Sequence, residues 1–166
     1  MEVQDSAYTM RFGGERVSSS AVLDVDLSNT AATVIADLCA RGSLSVASYD
    51  CIILTQTLQL LADPVACIEN CWSALRPGGA LLVTAPALSR LSPTHPGSDY
   101  WRFAPAGIRR LFETHWNGRF SVFSFGNLQT CIGFLLARTV EETPKEVFET
   151  DDPRYPLTVA VHAEKA

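Results

Sequence analysis

The chain has no basic stripe. Its 13 lysines and arginines are outnumbered by 18 aspartates and glutamates, giving a formal net charge of −5 and a pI near 5.1. A nucleic-acid backbone needs clustered cations to displace its counterions, so this balance argues against DNA or RNA as the main partner. No apolar run is long enough to span a bilayer, and the N-terminus lacks the basic and apolar segments of a secretory signal. Internal repeats and low-complexity linkers are absent as well. No GxGxxG opens a helix after a strand, which weakens a nicotinamide oxidoreductase reading. The five cysteines are an odd number. Cys67 and Cys71 stand four apart, where a metal pair is conceivable, but no neighbouring His or Cys pair completes it. Buried thiols in a reducing cytoplasm, with no metal, are the expectation.

What is present is the composition of one globular domain. With 166 residues, 47% of them hydrophobic and 19% charged, the chain can bury a single core. One domain over residues 1–166 is therefore expected. Its most informative stretch runs from Tyr49 to Pro86. Cys51-Ile52-Ile53-Leu54 and Ala80-Leu81-Leu82-Val83 are continuous apolar runs, as in parallel strands covered on both faces. Between them Asp63 supplies a helix N-cap and Pro64 the first helical position. Val65, Ile68, Trp72 and Leu75 follow at helical spacing, and Pro77-Gly78-Gly79 stops the helix. Strand, helix and strand make a βαβ unit, whose ligands sit beyond the carboxyl ends of the strands.

Further elements flank this unit. Residues 21–26, 33–36, 120–125 and 157–162 read as strands, and residues 105–112 and 127–138 as helices. Only residues 27–32 separate the second and third candidate strands, less than the dozen a parallel crossover usually needs. The first half of the sheet is therefore expected to be abbreviated. The acidic stretch over residues 141–154 reads as a solvated connection.

Asp50, which leads the first apolar run, and Leu75-Arg76-Pro77-Gly78-Gly79 together resemble the second half of a class I S-adenosylmethionine-dependent methyltransferase. Residues 5–14, DSAYTMRFGG, and Asp99-Tyr100-Trp101-Arg102-Phe103 resemble stretches of a subgroup associated with glycan biosynthesis. The resemblance implies an α/β, Rossmann-like, mainly parallel sheet with helices on both faces, its last strand antiparallel. It implies S-adenosylmethionine as cofactor. Glu2 falls where the family carries an acidic residue after its first strand, and Asp5 follows it. Gln4 and Ser6 stand where glycines are expected, which implies a degenerate loop and weak cofactor binding. The chain begins almost inside that strand, so a homo-oligomer or partner domain is expected to cover this side.

The same resemblance distributes the remaining roles. Asp26, preferred over Asp24, would accept the ribose hydroxyls, with a strand-capping aspartate as the alternative. Asp37 and the backbone of Leu38 would meet the adenine, unless Asp37 is only a turn residue. Thr55 and Gln56 would line the floor below the sulfonium. On the acceptor side, Tyr100 and Trp101 offer faces to a sugar ring or other flat surface, and Arg102 could pair with phosphate or carboxylate. The alternative is that Trp101 and Phe103 anchor the loop while Arg102 pairs with Asp99. His95 or Asp99 would be the base. His115 and His162 read as structural. The implied activity is methyl transfer, to oxygen of a small molecule or glycan intermediate. A binding or assembly domain without turnover is the alternative.

Overall fold

The computed structural model describes residues 7–94 and 96–166. Glu2, Gln4, Asp5, Ser6 and His95 lie outside the described residues. A short helix α1 (Ala7–Gly13) leads to β1 (Leu23–Asp24) and β2 (Val34–Ile35). Then come β3 (Tyr49–Thr55), α2 (Pro64–Ala74), β4 (Leu75–Pro86) and α3 (Pro105–His115). The chain closes with β5 (Gly118–Phe125), α4 (Leu128–Leu135) and β6 (Thr158–Lys165).

Helix α2 begins as its sequence dictates. The Asp63 side chain accepts from the Ala66 amide at 3.0 Å, and Pro64 occupies the first turn, where no backbone donor is needed. The helix ends at Ala74 and the chain enters β4 at once. The Pro77-Gly78-Gly79 segment therefore does not precede the strand, as expected, but bulges from it. Between the paired positions Tyr49↔Leu75 and Cys51↔Ala80, β3 advances two residues while β4 advances five. Gly78 makes the excursion possible at φ +77°, a region that side chains disfavour.

The main sheet has the order β3-β4-β6-β5. β3 and β4 run parallel, and β6 is antiparallel to both β4 and β5. Three strands thus point one way and the last strand the other, an α/β architecture with a mixed sheet. β1 and β2 form a separate parallel pair of two residues each. Their connection manages without a helix because so short a ladder needs little chain to return to its start.

Side chains alternate cleanly in β4 and β6. Leu81, Val83 and Ala85 join Val159, Val161 and Ala163 in the core, on the face that α2 and α3 cover. Phe112 is completely buried there, with its ring centroid 5.6 Å from Phe120. Trp72 and Trp116 meet edge to face at 4.9 Å. The opposite face leaves Leu82, Phe123 and Phe125 exposed. The expected central position of Ile52 and Ile53 is corrected: β3 is an edge of this sheet. The two-residue strands β1 and β2 are too short to extend the ladder onto it. His162 lies on the open face of β6.

Truncating the most enclosed ring tests this core. Phe112→Ala should cost about 3–5 kcal/mol of stability, read from the shift of the urea midpoint at constant slope.

Candidate functional site

Both parallel strands of the βαβ unit deliver the chain to one edge, β3 at Thr55 and β4 at Pro86. Gln56 follows with φ +48°, a left-handed conformation that is uncommon for a side-chain-bearing residue. Its amide is held by the Thr84 carbonyl at 2.8 Å, so the chain turns sharply away from the sheet there. The next turn places Leu58 in the core and buries Gln59.

Gln59 organises the loop that follows β4. Its side-chain Nε2 donates to the Gln56 carbonyl at 2.7 Å. Its own carbonyl accepts from the Tyr100 amide at 2.9 Å and the Trp101 amide at 3.2 Å. Its buried Oε1 has no hydrogen-bond partner among the described residues. A cavity of about 270 Å³ opens beside it, lined by Gln56, Gln59, Pro86, Ser92, Asp99 and, from α4, Phe134.

Arg102 and Asp99 adopt the pairing that was the alternative to their site roles. Arg102 is not open to a phosphate or carboxylate of a substrate. It forks onto Asp99 at 2.5 and 3.0 Å, and donates also to the carbonyls of Arg90 and Trp101. Asp99 is not open as a base. Its side chain is 4% exposed, and its Oδ2 also accepts the Ser92 amide at 2.6 Å. The bond to Asp99 raises the affinity of Arg102 for its proton. Together they clasp the loop from Ser89 to Arg102. Trp101 anchors it from the other side, donating Nε1 to the Leu61 carbonyl at 2.7 Å. Phe103 is buried, with its amide on the Pro86 carbonyl. Tyr100, 52% exposed, and Trp101, 41% exposed despite its anchored indole N–H, both still present a face to the outside.

The predicted cofactor side is built from turns. β1 ends at Asp24, two residues before Asp26. Asp24 uses both oxygens inside the protein, accepting the Asp26 amide and the Asn29 amide group. Those bonds lower its pKa below the ordinary 3.8, the backbone bond from Asp26 first. The turn is thus steadied at neutral pH and loses that support as acid carries the pH down through the lowered value. Asp26 is exposed and accepts the Ser28 amide with one oxygen. Asp37 repeats the arrangement after β2, accepting the Cys39 amide. In both, the second oxygen meets no protein donor among the described residues. Leu38 sends its side chain into the core, so only its backbone faces outward chemistry.

Asn70 fixes this segment, and the sequence reading missed it. Buried on α2, it donates to the carbonyls of Leu38 and Ala40 at 2.9 and 2.8 Å and accepts the Gly42 amide at 2.8 Å. A detectable signal was its place on the small-residue face of the helix, with Ala66, Cys67, Cys71 and Ala74. The cysteines there are free, and the hydrogen bond with the Cys71 thiol, followed by burial, raises the Cys67 pKa well above 9.0. His115 packs against α2, with Nδ1 3.6 Å from Glu69. No helix among the described residues is long and apolar enough to cross a membrane.

Residues 8–83 match the model of the methyltransferase domain family. Among solved structures, S-adenosylmethionine-dependent methyltransferases share the fold. One from Aquifex aeolicus is 13% identical, with 96% of this chain and 74% of that chain covered at a TM-score of 0.56. One from Archaeoglobus fulgidus is 14% identical, with 86% and 74% covered at 0.54. The Haloferax volcanii protein solved in complex with the Trm112 methyltransferase activator is 18% identical, with 78% and 59% covered at 0.50. This chain therefore spans about three-fifths of the length of that last protein. Among curated proteins none matches the sequence. The fold is that of these S-adenosylmethionine-dependent methyltransferases.

Asn70→Ala would leave two buried carbonyls and an amide without their partner. We expect a loss of about 1–3 kcal/mol in denaturant unfolding. Faster amide exchange at Cys39 and Gly42 should accompany it.

Proposed function

We propose that the chain carries out S-adenosylmethionine-dependent methyl transfer to an oxygen of a small molecule or glycan intermediate, as a single domain. The observation that carries this reading is the polar cavity at the shared carboxyl edge of β3 and β4, walled by the sharply turned Gln56 and the clasped acceptor loop. Ligands of open α/β sheets bind at such edges.

The described residues on the nucleoside side fit the cofactor. Asp26 and Asp37 each hold one carboxylate oxygen in a turn and leave the other for a ligand donor, which suits ribose hydroxyls and an adenine amino group. The Leu38 backbone would meet the ring. Thr55 and Gln56 would form the floor, and Glu2 and Asp5 would serve the amino-acid end. When bound, S-adenosylmethionine supplies a methyl group on a cationic sulfur, which needs alignment and a dry site more than activation. The loop clasp of Asp99 and Arg102 fixes the acceptor wall and excludes water. Tyr100 offers its face to the acceptor. With both Asp99 oxygens engaged, His95 is the base that would take the hydroxyl proton.

The five free thiols support a reducing, cytoplasmic setting. A homo-oligomer or partner domain would cover the N-terminal side, and the Haloferax volcanii protein, which is solved in complex with an activator, supports the idea of a protein partner. A second reading, a binding or assembly domain without turnover, is favoured by Gln4 and Ser6 at positions where glycines are expected.

Calorimetry separates these readings. The chain should bind S-adenosylmethionine weakly, with Kd on the order of 100 μM or worse, the former equivalent to roughly −5.5 kcal/mol. Asp26→Ala should lose about 1.5–3 kcal/mol of that. Equal affinity in the variant would remove Asp26 from the site. Low-micromolar binding would refute the weakened loop and favour a working enzyme, whereas weak binding without methyl transfer to any hydroxyl acceptor would favour the second reading.

A further inference from the structure

We propose that a second cavity, between α4 and residues 138–151, holds the apolar, carboxylate-bearing end of the acceptor. The word acceptor rests on the methyl-transfer reading; the binding itself does not. The cavity measures about 380 Å³, within the range of small-molecule sites, and its walls include Phe125, Phe134, Val140, Phe148 and Leu157.

Its walls are fixed in place. Asn127 and Thr130 form a reciprocal cap at the start of α4. The Asn127 side chain also donates to the carbonyls of Val147 and Thr150, at 2.7 and 2.8 Å. Asp151 accepts the Gly126 amide at 2.6 Å, which closes the far side. A preformed cavity loses little entropy when filled.

Gly133 marks the floor. It lies inside α4, where glycine is a poor helix former, and its backbone angle is not left-handed. A Cβ there would meet nothing nearer than Thr143 Oγ1 at 3.9 Å. Neither conformation nor a close neighbour requires glycine, and the missing side chain leaves the volume open. Arg138 lines the same cavity without an acidic partner among the described residues, while the lining Asp151 is engaged by the Gly126 amide. An anionic group on an apolar body suits that balance.

The two cavities adjoin. Pro86, Thr158 and Phe125 are register partners across β4, β6 and β5. Pro86 lines the loop cavity, and Thr158 and Phe125 line the α4 cavity. Neighbouring strands stand about 4.8 Å apart, and Phe134 contributes to both walls. A molecule seated at α4 can reach past Phe134 to the proposed methyl-transfer site.

The test titrates 3-phenylpropionate into the full chain, followed by calorimetry and by amide resonances. We expect saturable shifts centred on Gly126, Thr130 and Gly133. The neutral 3-phenylpropanamide should bind at least fivefold more weakly, and Arg138→Gln should erase that difference. Gly133→Leu should abolish binding by filling the floor. Val140→Trp, at an exposed position that tolerates bulk, should do the same if the leucine variant does not fold. Scattered or unsaturable shifts, equal affinity for acid and amide, or unchanged affinity in Val140→Trp would overturn the proposal. A parallel titration with S-adenosylhomocysteine keeps the two readings apart. Binding of that product without binding of the acid would sink the subsite alone, and the reverse would sink the methyl-transfer reading alone.

Discussion

The antiparallel seam made by β6 is the constraint on which the rest of the molecule depends. Every position from Thr158 to Glu164 faces a partner in β4 on one side and in β5 on the other. The strand closes two gaps at once, so neither β4 nor β5 leaves its ladder groups unpaired toward the middle of the sheet. Its ends also reach beyond the sheet. The Glu164 carbonyl accepts the Trp116 indole, and Lys165 donates to the carbonyls of Trp72 and Leu75 at the end of α2. A cation at a helix C-terminus meets both unpaired carbonyls and the negative end of the helix dipole. At the other end, the Leu157 carbonyl receives the Ala87 and Leu88 amides where the chain leaves β4. The edge that carries the site is thus held by the last segment of the chain.

From that frame the loops inherit their rigidity through buried polar groups. Asn70 satisfies three backbone groups of the segment after β2, and Gln59 carries two loop amides on one carbonyl. Asp99 and Arg102 do the same by charge. A pair this enclosed costs desolvation, which its fork geometry and its extra bonds to Ser92 and Arg90 offset. Its effect is to specify one loop shape more than to stabilise the fold. The uncompensated group is Gln59 Oε1, buried without a partner among the described residues. Such a group is costly at rest, and a ligand donor or bound water would relieve it.

The two faces of the sheet differ in kind. Helices α2 and α3 seal one with a continuous apolar layer, while the other shows phenylalanine and leucine to solvent. Contiguous exposed apolar surface of that sort marks a place where something packs. The two-residue strands β1 and β2 contribute almost nothing to that face, since they do not join the four-stranded sheet.

Local patterns determined the βαβ unit, because its causes are local. Asp63-Pro64 can start a helix wherever it occurs, alternation and apolar runs mark strands, and Gly78 takes the angle that a bulge demands. The antiparallel last strand and the abbreviated first half were legible for related reasons, one from the resemblance and one from chain length. The alternative roles were already open in the sequence: Asp99 beside Arg102, and Trp101 as anchor or platform. Choosing between them needed three dimensions. Whether a carboxylate is a base or half of a clasp depends on which donors reach its two oxygens, here a guanidinium three residues on and an amide seven residues back. The edge position of β3, the role of Asn70 across some thirty residues of chain and the α4 cavity were likewise decided by packing. A one-dimensional pattern records which side chains want burial. Only the folded chain decides what each of them is buried against.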